Sequence, residues 1–421
     1  MASYARPGRC HAPIWRLGVA PLARLRTAIL CCFSLLFAPL GLAQDDPPSQ
    51  VPPHFDARRQ RTEYTGPAKP ALSPDQVDEV RIGYFAPSDP EDPLCGNMWR
   101  AAQAAVNDAN REGGLQGKPF RLVPAWSKDP WGTGVKQLTK LVYRDRVWAI
   151  VGGADGPSTH LAEQVVAKAR LPLISPVSTD KTVNLANVPW MFSLAPSDHL
   201  VAEAMAPSLA RHLGDQPLVI LSSNDHDSFL LTRELRKALD QHGVVPDFQY
   251  EFHSSEGPYA ELGRRTVAAR PGAVVVVADV LDSVKLVREL RHRGYRQRIY
   301  GGPSMQRQLF LRQIGADGGE IVVPVLRSEP PETAAALQFH PSLPDDADFA
   351  ALHTYDCVRL TIEAIRTAGL SRTAIGQALR DLSPWQGVSG SVNWDGLGGN
   401  RREVRLGMLR ENQVVALERD D

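Results

Sequence analysis

Residues 148–179 read WAIVGGADGPSTHLAEQVVAKARLPLISPVST, and the reading of this stretch decides the fold. Residues 148–151 form an apolar strand, 152–156 a Gly-rich loop, and 158–169 a predicted helix. A second short strand, 171–174, runs into a polar loop over 175–180. A strand, loop, helix and strand in this order is the βαβ rhythm of a parallel sheet. Both loops then lie at the carboxyl edge of that sheet, where open α/β sheets bind ligands.

The same rhythm extends in both directions. Upstream, a strand over 80–85 precedes a helix over 96–111. In that helix Met98, Ala101, Ala102, Ala105, Val106 and Ala109 recur at helical spacing. A strand over 119–123 and a helix over 131–144 complete the upstream part. Downstream come a strand over 190–194 and a helix over 197–213, with Asp198 in the first turn, where the helix dipole favours an anion. The pattern restarts at Pro217. It predicts a strand at 218–221, a polar loop at 222–228, a helix at 229–242, extended chain at 244–251 and a helix at 259–270. Residues 273–278 hold four consecutive Val and read as a strand buried on both faces. An exit loop over 279–282, a helix over 283–292, a strand over 298–300, a helix over 309–314 and a strand over 320–325 follow. Helices are expected over 349–368 and 372–382. The chain ends in alternating segments, 388–394 and 404–415, predicted to pair antiparallel across 395–400. The fold class is therefore α/β, two lobes with parallel central sheets around a cleft.

With 421 residues, 43% of them hydrophobic, the chain can bury two sizeable cores. Lys+Arg and Asp+Glu both total 47, a balance that argues against a nucleic-acid partner. Arg6, Arg9, Arg16, Arg24 and Arg26 precede an apolar run over 28–42, and small residues at Gly41 and Ala43 then meet the polar Gln44. This reads as a cleaved secretory signal over 1–43, since about 15 apolar residues fall short of the ~20 that span a bilayer. Residues 44–79 are a Pro-rich linker. The first lobe is expected over 80–200, the second over 201–330, and lobe-crossing helices with terminal strands over 331–421. Without the signal only Cys95 and Cys357 remain, expected as isolated thiols, so the chain does not depend on a disulfide framework.

The polar loops hold the candidate site residues. Asp225, His226 and Asp227 are crowded, but spacing offers no third ligand group, so neither a metal nor a cofactor is expected. Asp279, leaving the all-Val strand, either contacts a ligand or caps the helix that follows. Ser158 has the same two readings. The Gly-rich run lacks the Lys of a phosphate loop and the spacing of a dinucleotide fingerprint, and neither GxSxG nor HExxH occurs. Trp126 and Trp131 bracket a polar loop and are expected to pack at the lobe edge.

Four segments carry a resemblance: AAVNDANREGGLQGK (104–118), ISPVST (174–179), VVVVADVLDS (274–283) and GVSGSVNWDGLGGN (387–400). Together and in this order the chain resembles the type I periplasmic binding proteins, nearest the leucine/isoleucine/valine-binding branch. The resemblance implies two Rossmann-like lobes joined by crossing segments, with the ligand between them. It also implies that first-lobe positions Gly156, Pro157, Ser158, Val177 and Thr179 grip a ligand's α-carboxylate and α-ammonium. In the second lobe Asp227, Asp279 and Ser304 stand where the family has aromatic or acidic residues, and Cys95 replaces an aromatic. Such a cleft suits a cationic or strongly polar ligand better than a branched aliphatic one. The implied function is an extracytoplasmic, monomeric solute-binding protein. It would pass a small polar molecule, an amino acid or amide-like compound, to a membrane ABC permease. The alternative is a ligand-sensing module acting on a partner protein. An enzyme would have to rely on Asp227 and Asp279.

Overall fold

The structure, a computed structural model, describes residues 71–126, 130–327, 342–410 and 413–417. The predicted signal segment, most of the predicted linker and the side chain of Trp131 lie outside the described residues. The first sheet holds β1 (Val80–Phe85), β2 (Phe120–Pro124), β3 (Ala149–Gly152), β4 (Leu173–Ser175) and β5 (Met191–Ser193), ordered β2-β1-β3-β4-β5. All its pairings are parallel, with Ile82 of β1 opposite Ala149 of β3 and Leu122 of β2. Helix α1 (Gly96–Arg111) turns Ala101, Ala102, Ala105 and Ala109 inward. These small side chains let the helix over 349–368 join the same core. The predicted helix over 131–144 is irregular. A single α segment, α2 (Val135–Thr139), lies between wider turns at Pro130–Gly134 and Lys140–Arg144. Helix α3 (Gly156–Ala169) starts two residues earlier than the sequence reading because Asp155 caps it, with Pro157 in its first turn.

Helix α4 (Asp198–Leu213) leads into the second lobe. Asp198 is in its first turn as predicted, but buried, and burial pushes its carboxyl well above the usual carboxylate range. The second sheet contains β6 (Leu218–Ser223), β7 (Phe248–Phe252), β8 (Ala273–Val277), β9 (Arg298–Gly301) and β10 (Ile321–Val325), paired in parallel. Every residue of β8 is buried, as its run of Val predicts. Helices α4 and α5 (His226–Gln241) share one core with the sheet. The other core is filled by α6 (Tyr259–Ala268), α7 (Val280–His292) and α8 (Gln308–Ile314). Helices α5 and α7 begin earlier than the sequence reading places them. Asp225 accepts the Ser228 amide at 3.0 Å, and Asp279 accepts the Asp282 amide at 2.8 Å. The residues read as loops are therefore caps and first turns.

Helices α9 (Phe349–Ala368) and α10 (Arg372–Asp381) pack into the first-lobe core. The two terminal strand segments do not pair with each other as predicted. Instead β11 (Trp385–Gly387) pairs with β12 (Gly390–Val392), while β13 (Arg405–Arg410) pairs with β14 (Gln413–Ala416). Strand β13 also adds antiparallel to β10, which extends the second sheet. The chain therefore crosses between lobes after β5, after β10 and between β12 and β13.

GVSGSVNWDGLGGN forms the clasp at these crossings. The buried carboxylate of Asp356 in α9 accepts the amides of Val388 (2.9 Å) and Ser389 (2.7 Å). Asn400 donates to the Leu194 carbonyl at 3.0 Å and accepts from the Asn393 amide at 3.0 Å. Gly398 has φ +87°, and a Cβ there would lie 2.2 Å from the Met191 carbonyl oxygen, so glycine is required. Nearby, the buried His353 lies with Nδ1 2.9 Å from the Pro176 carbonyl oxygen, and with Nε2 2.9 Å from the Leu326 carbonyl oxygen and 3.0 Å from an Arg402 nitrogen. Burial beside the Arg402 charge pushes its pKa down to about 3.

Candidate functional site

The carboxyl ends of the strands of both lobes and the helix N-termini that follow them face one another across a cavity of about 650 Å³. Asp155, Asp225 and Asp279 line it because each is the N-cap of the helix leaving its strand. A doubly wound fold thus brings capping carboxylates to one cleft. Thr179, Ser254 and Ser304 add hydroxyls, while Trp126, Leu231 and Phe349 add apolar wall.

Asp227, in the first turn of α5, reaches the other lobe. Its carboxylate oxygens lie 3.0 and 3.2 Å from the backbone nitrogen of Gly156, the first residue of α3. The chain's own carboxylate therefore occupies the anion-binding end of that helix. A Cβ at position 156 would lie 2.1 Å from Asp227 Oδ1, so only glycine admits this approach. Burial, opposed by the Gly156 amide, pushes the Asp227 carboxyl up to about 7.

Other groups also join the lobes. Lys181, in the loop after β4, donates to Glu234 of α5 at 2.6 Å. His226 Nε2 lies 2.7 Å from Asp180 Oδ2, and His160 Nε2 of α3 lies 2.7 Å from the same oxygen. The carboxylates of Asp180 and Glu163 raise the His160 pKa to about 9. On the opposite side Arg307 donates to the Leu94 carbonyl and, at 2.8 Å, to Asp348. Arg307 and Asp348 are both buried, so this cleft-wall cation is already paired.

Of the residues chosen from the sequence, Val177, Thr179, Asp227, Asp279 and Ser304 line the cavity. Asp279 caps α7, one of its two readings, and also accepts the Ser254 hydroxyl at 3.0 Å. The Ser304 hydroxyl donates to the Ala278 carbonyl at 2.7 Å. Ser158 is fully buried, and its hydroxyl accepts the Ala154 amide at 3.0 Å, so its capping reading is the one this geometry supports. Cys95 borders the cavity as a buried free thiol, pushed by burial up to about 11, and Cys357 is a second buried free thiol. Trp126 reaches the cavity wall while also packing on Phe85, with ring centroids 5.2 Å apart. His160, Asp180 and Arg307 were not singled out from sequence. The signal for the first two was their place, one in the second turn of the Gly-rich helix and the other directly after Thr179.

Residues 79–406 match the periplasmic binding protein family, and the chain belongs to it. An amino acid binding protein of Pseudomonas aeruginosa is 24% identical over 367 residues, covering 83% of this chain and 92% of that protein. Among solved structures, the branched-chain amino acid transporter substrate-binding protein LivJ of Streptococcus pneumoniae, in complex with isoleucine, superposes with a TM-score of 0.71. It is 20% identical and covers 80% of this chain and 99% of its own. An ABC transporter substrate-binding protein of Desulfitobacterium hafniense in complex with leucine gives 0.68 at 21% identity, covering 80% of this chain and 100% of its own. The two-lobed α/β architecture is that of the type I periplasmic binding proteins.

Proposed function

We propose that this family member works outside the cytoplasm as the capture component of an ABC permease, and that its ligand is an amino-acid-sized cation, an amine or amidinium on an apolar body. The contact between Asp227 and the Gly156 amide carries this reading. Isoleucine and leucine, the ligands of the similar structures, each present a carboxylate. A carboxylate arriving at Gly156 would have to displace that of Asp227. A cation meets Asp155, Asp225, Asp227 and Asp279 around the cavity, and Trp126, Leu231 and Phe349 can cover its apolar part. Closure of the lobes would remove the ligand from water, so its charge needs these partners. The chain is proposed to reach its compartment through a signal over 1–43, which N-terminal sequencing of the exported protein tests.

Calorimetric titration with agmatine, putrescine and arginine, set against leucine and isoleucine, tests the ligand class. Saturable binding of a cation, weakened at least ~10-fold in Asp227→Asn, supports it, because one lost charged hydrogen bond is worth ~1.5–3 kcal/mol. Binding of leucine or isoleucine with no response to the cations overturns it.

A further inference from the structure

We propose that His160, Asp180 and His226 form a site for a divalent transition-metal ion that ties the two lobes together beside the cleft. His160 comes from α3 and Asp180 from the loop after β4, both in the first lobe, while His226 opens α5 in the second. Both Nε2 atoms lie 2.7 Å from the same carboxylate oxygen, Asp180 Oδ2. The Asp180 side chain is fully buried, and its other oxygen is taken by the Thr182 amide at 2.7 Å and hydroxyl at 2.6 Å. Oδ2 is thereby aimed at the imidazoles.

The three ligand atoms all lie within 4.8 Å of one another. Bonds of ~2.0–2.2 Å in a tetrahedral site place ligand atoms roughly 3.3–3.6 Å apart, so small side-chain shifts admit an ion. The rings meet edge-on, with centroids 5.7 Å apart, and so converge on the carboxylate instead of stacking. His160 Nδ1 faces Glu163 Oε2 at 3.4 Å, the carboxylate–imidazole pairing that orients a metal-ligating ring. On binding, each ring releases to solvent the Nε2 proton it shares with Asp180 Oδ2 and gives the freed lone pair to the ion. His160 keeps a proton at Nδ1 for Glu163.

Two imidazoles and one carboxylate suit zinc and its neighbours better than magnesium or calcium. The two His side chains are 24% and 39% exposed, which leaves an entry path and a fourth position for water. Sequence spacing could not show the site, because its ligands come from three separate segments. Since the ligands come from both lobes, the ion stabilises the arrangement in which they touch. The site stands independently of the amine reading of the cleft.

Zinc titration of the tag-free, chelator-stripped chain by calorimetry tests it, with cobalt as an optical probe. One saturable zinc site is expected, with a visible cobalt band of tetrahedral type. His160→Gln in the first lobe and His226→Gln in the second should each weaken zinc at least ~10-fold, and Glu163→Gln about 10–100-fold. Melting of each variant in chelator confirms that it is folded, and His226→Ala, at an exposed helix start, is the replacement should a Gln variant fail. Absence of saturable zinc binding, or affinity unchanged by either His replacement, overturns the proposal.

Discussion

Asp227→Asn should remove a pH-dependent penalty on the arrangement in which the lobes touch. Burial pushes this carboxyl from its ordinary 3.8 up to about 7. Roughly three units at 1.36 kcal/mol each make ~4 kcal/mol. An acid with a raised pKa in the folded form holds its proton there more tightly than in the unfolded chain, so stability falls as pH rises. Below pH ~4 both forms are protonated and the contribution vanishes. Between 4 and 7 it grows, and above 7 it is complete. The ~4 kcal/mol is an upper bound, because parting of the lobes re-solvates the carboxylate before the whole chain unfolds. Asparagine keeps an oxygen acceptor for the Gly156 amide and carries no charge. Differential scanning calorimetry of both proteins from pH 4 to 8 measures the difference. The variant should melt about 2–8 °C higher at pH 8, at ~2 °C per kcal/mol for a chain of this size, and within ~1 °C of the parent at pH 4. A difference that does not change with pH, or a variant less stable at pH 8, would refute the reasoning.

The same carboxyl couples binding to pH. A cationic ligand stabilises the ionised form, so its affinity should rise between pH 6 and 8 with proton release detectable by titration in two buffers, and both effects should vanish in Asp227→Asn. Gly156→Ala would place a Cβ 2.1 Å from Asp227 Oδ1, and the strain of ~1–3 kcal/mol should weaken ligand binding roughly 5–100-fold while far-UV circular dichroism stays unchanged. At the crossing clasp, Asn400→Ala leaves the Leu194 carbonyl and the Asn393 amide without their partner. A loss of ~1–3 kcal/mol for each group left unsatisfied should appear in urea unfolding. Cys95, buried and held as a thiol by a pKa near 11, should react with a disulfide reagent at pH 8 only after denaturant is added.

Much of the fold is legible along the chain. The βαβ rhythm around residues 148–179 implies a parallel sheet, and the run of Val in β8 implies burial on both faces. What misled was capping. Residues 222–228 and 279–282 look like polar loops, yet Asp225 and Asp279 supply the side-chain oxygen that starts a helix at once. The terminal strands misled for another reason. Alternation predicts strand over 404–415 but shows neither its division into the paired β13 and β14 nor the addition of β13 to β10, far upstream in the second sheet. GVSGSVNWDGLGGN was legible as a family feature, while its work, holding the crossings through Asp356, Asn400 and Gly398, was not.

The candidate site divides along the same line. Hydrophobic period and glycine turns depend on neighbours a few residues away, so the sequence alone determined that acidic and small polar residues gather at the carboxyl edges of two parallel sheets. Which of those groups meet was decided only by the tertiary structure. Asp227 and Gly156 are 71 residues apart, and His226 and Asp180 are 46 apart. Their contacts exist because the crossing segments bring the second lobe against the first. Charge and hydrogen bonding act over a few ångströms of space and carry no mark in the local sequence.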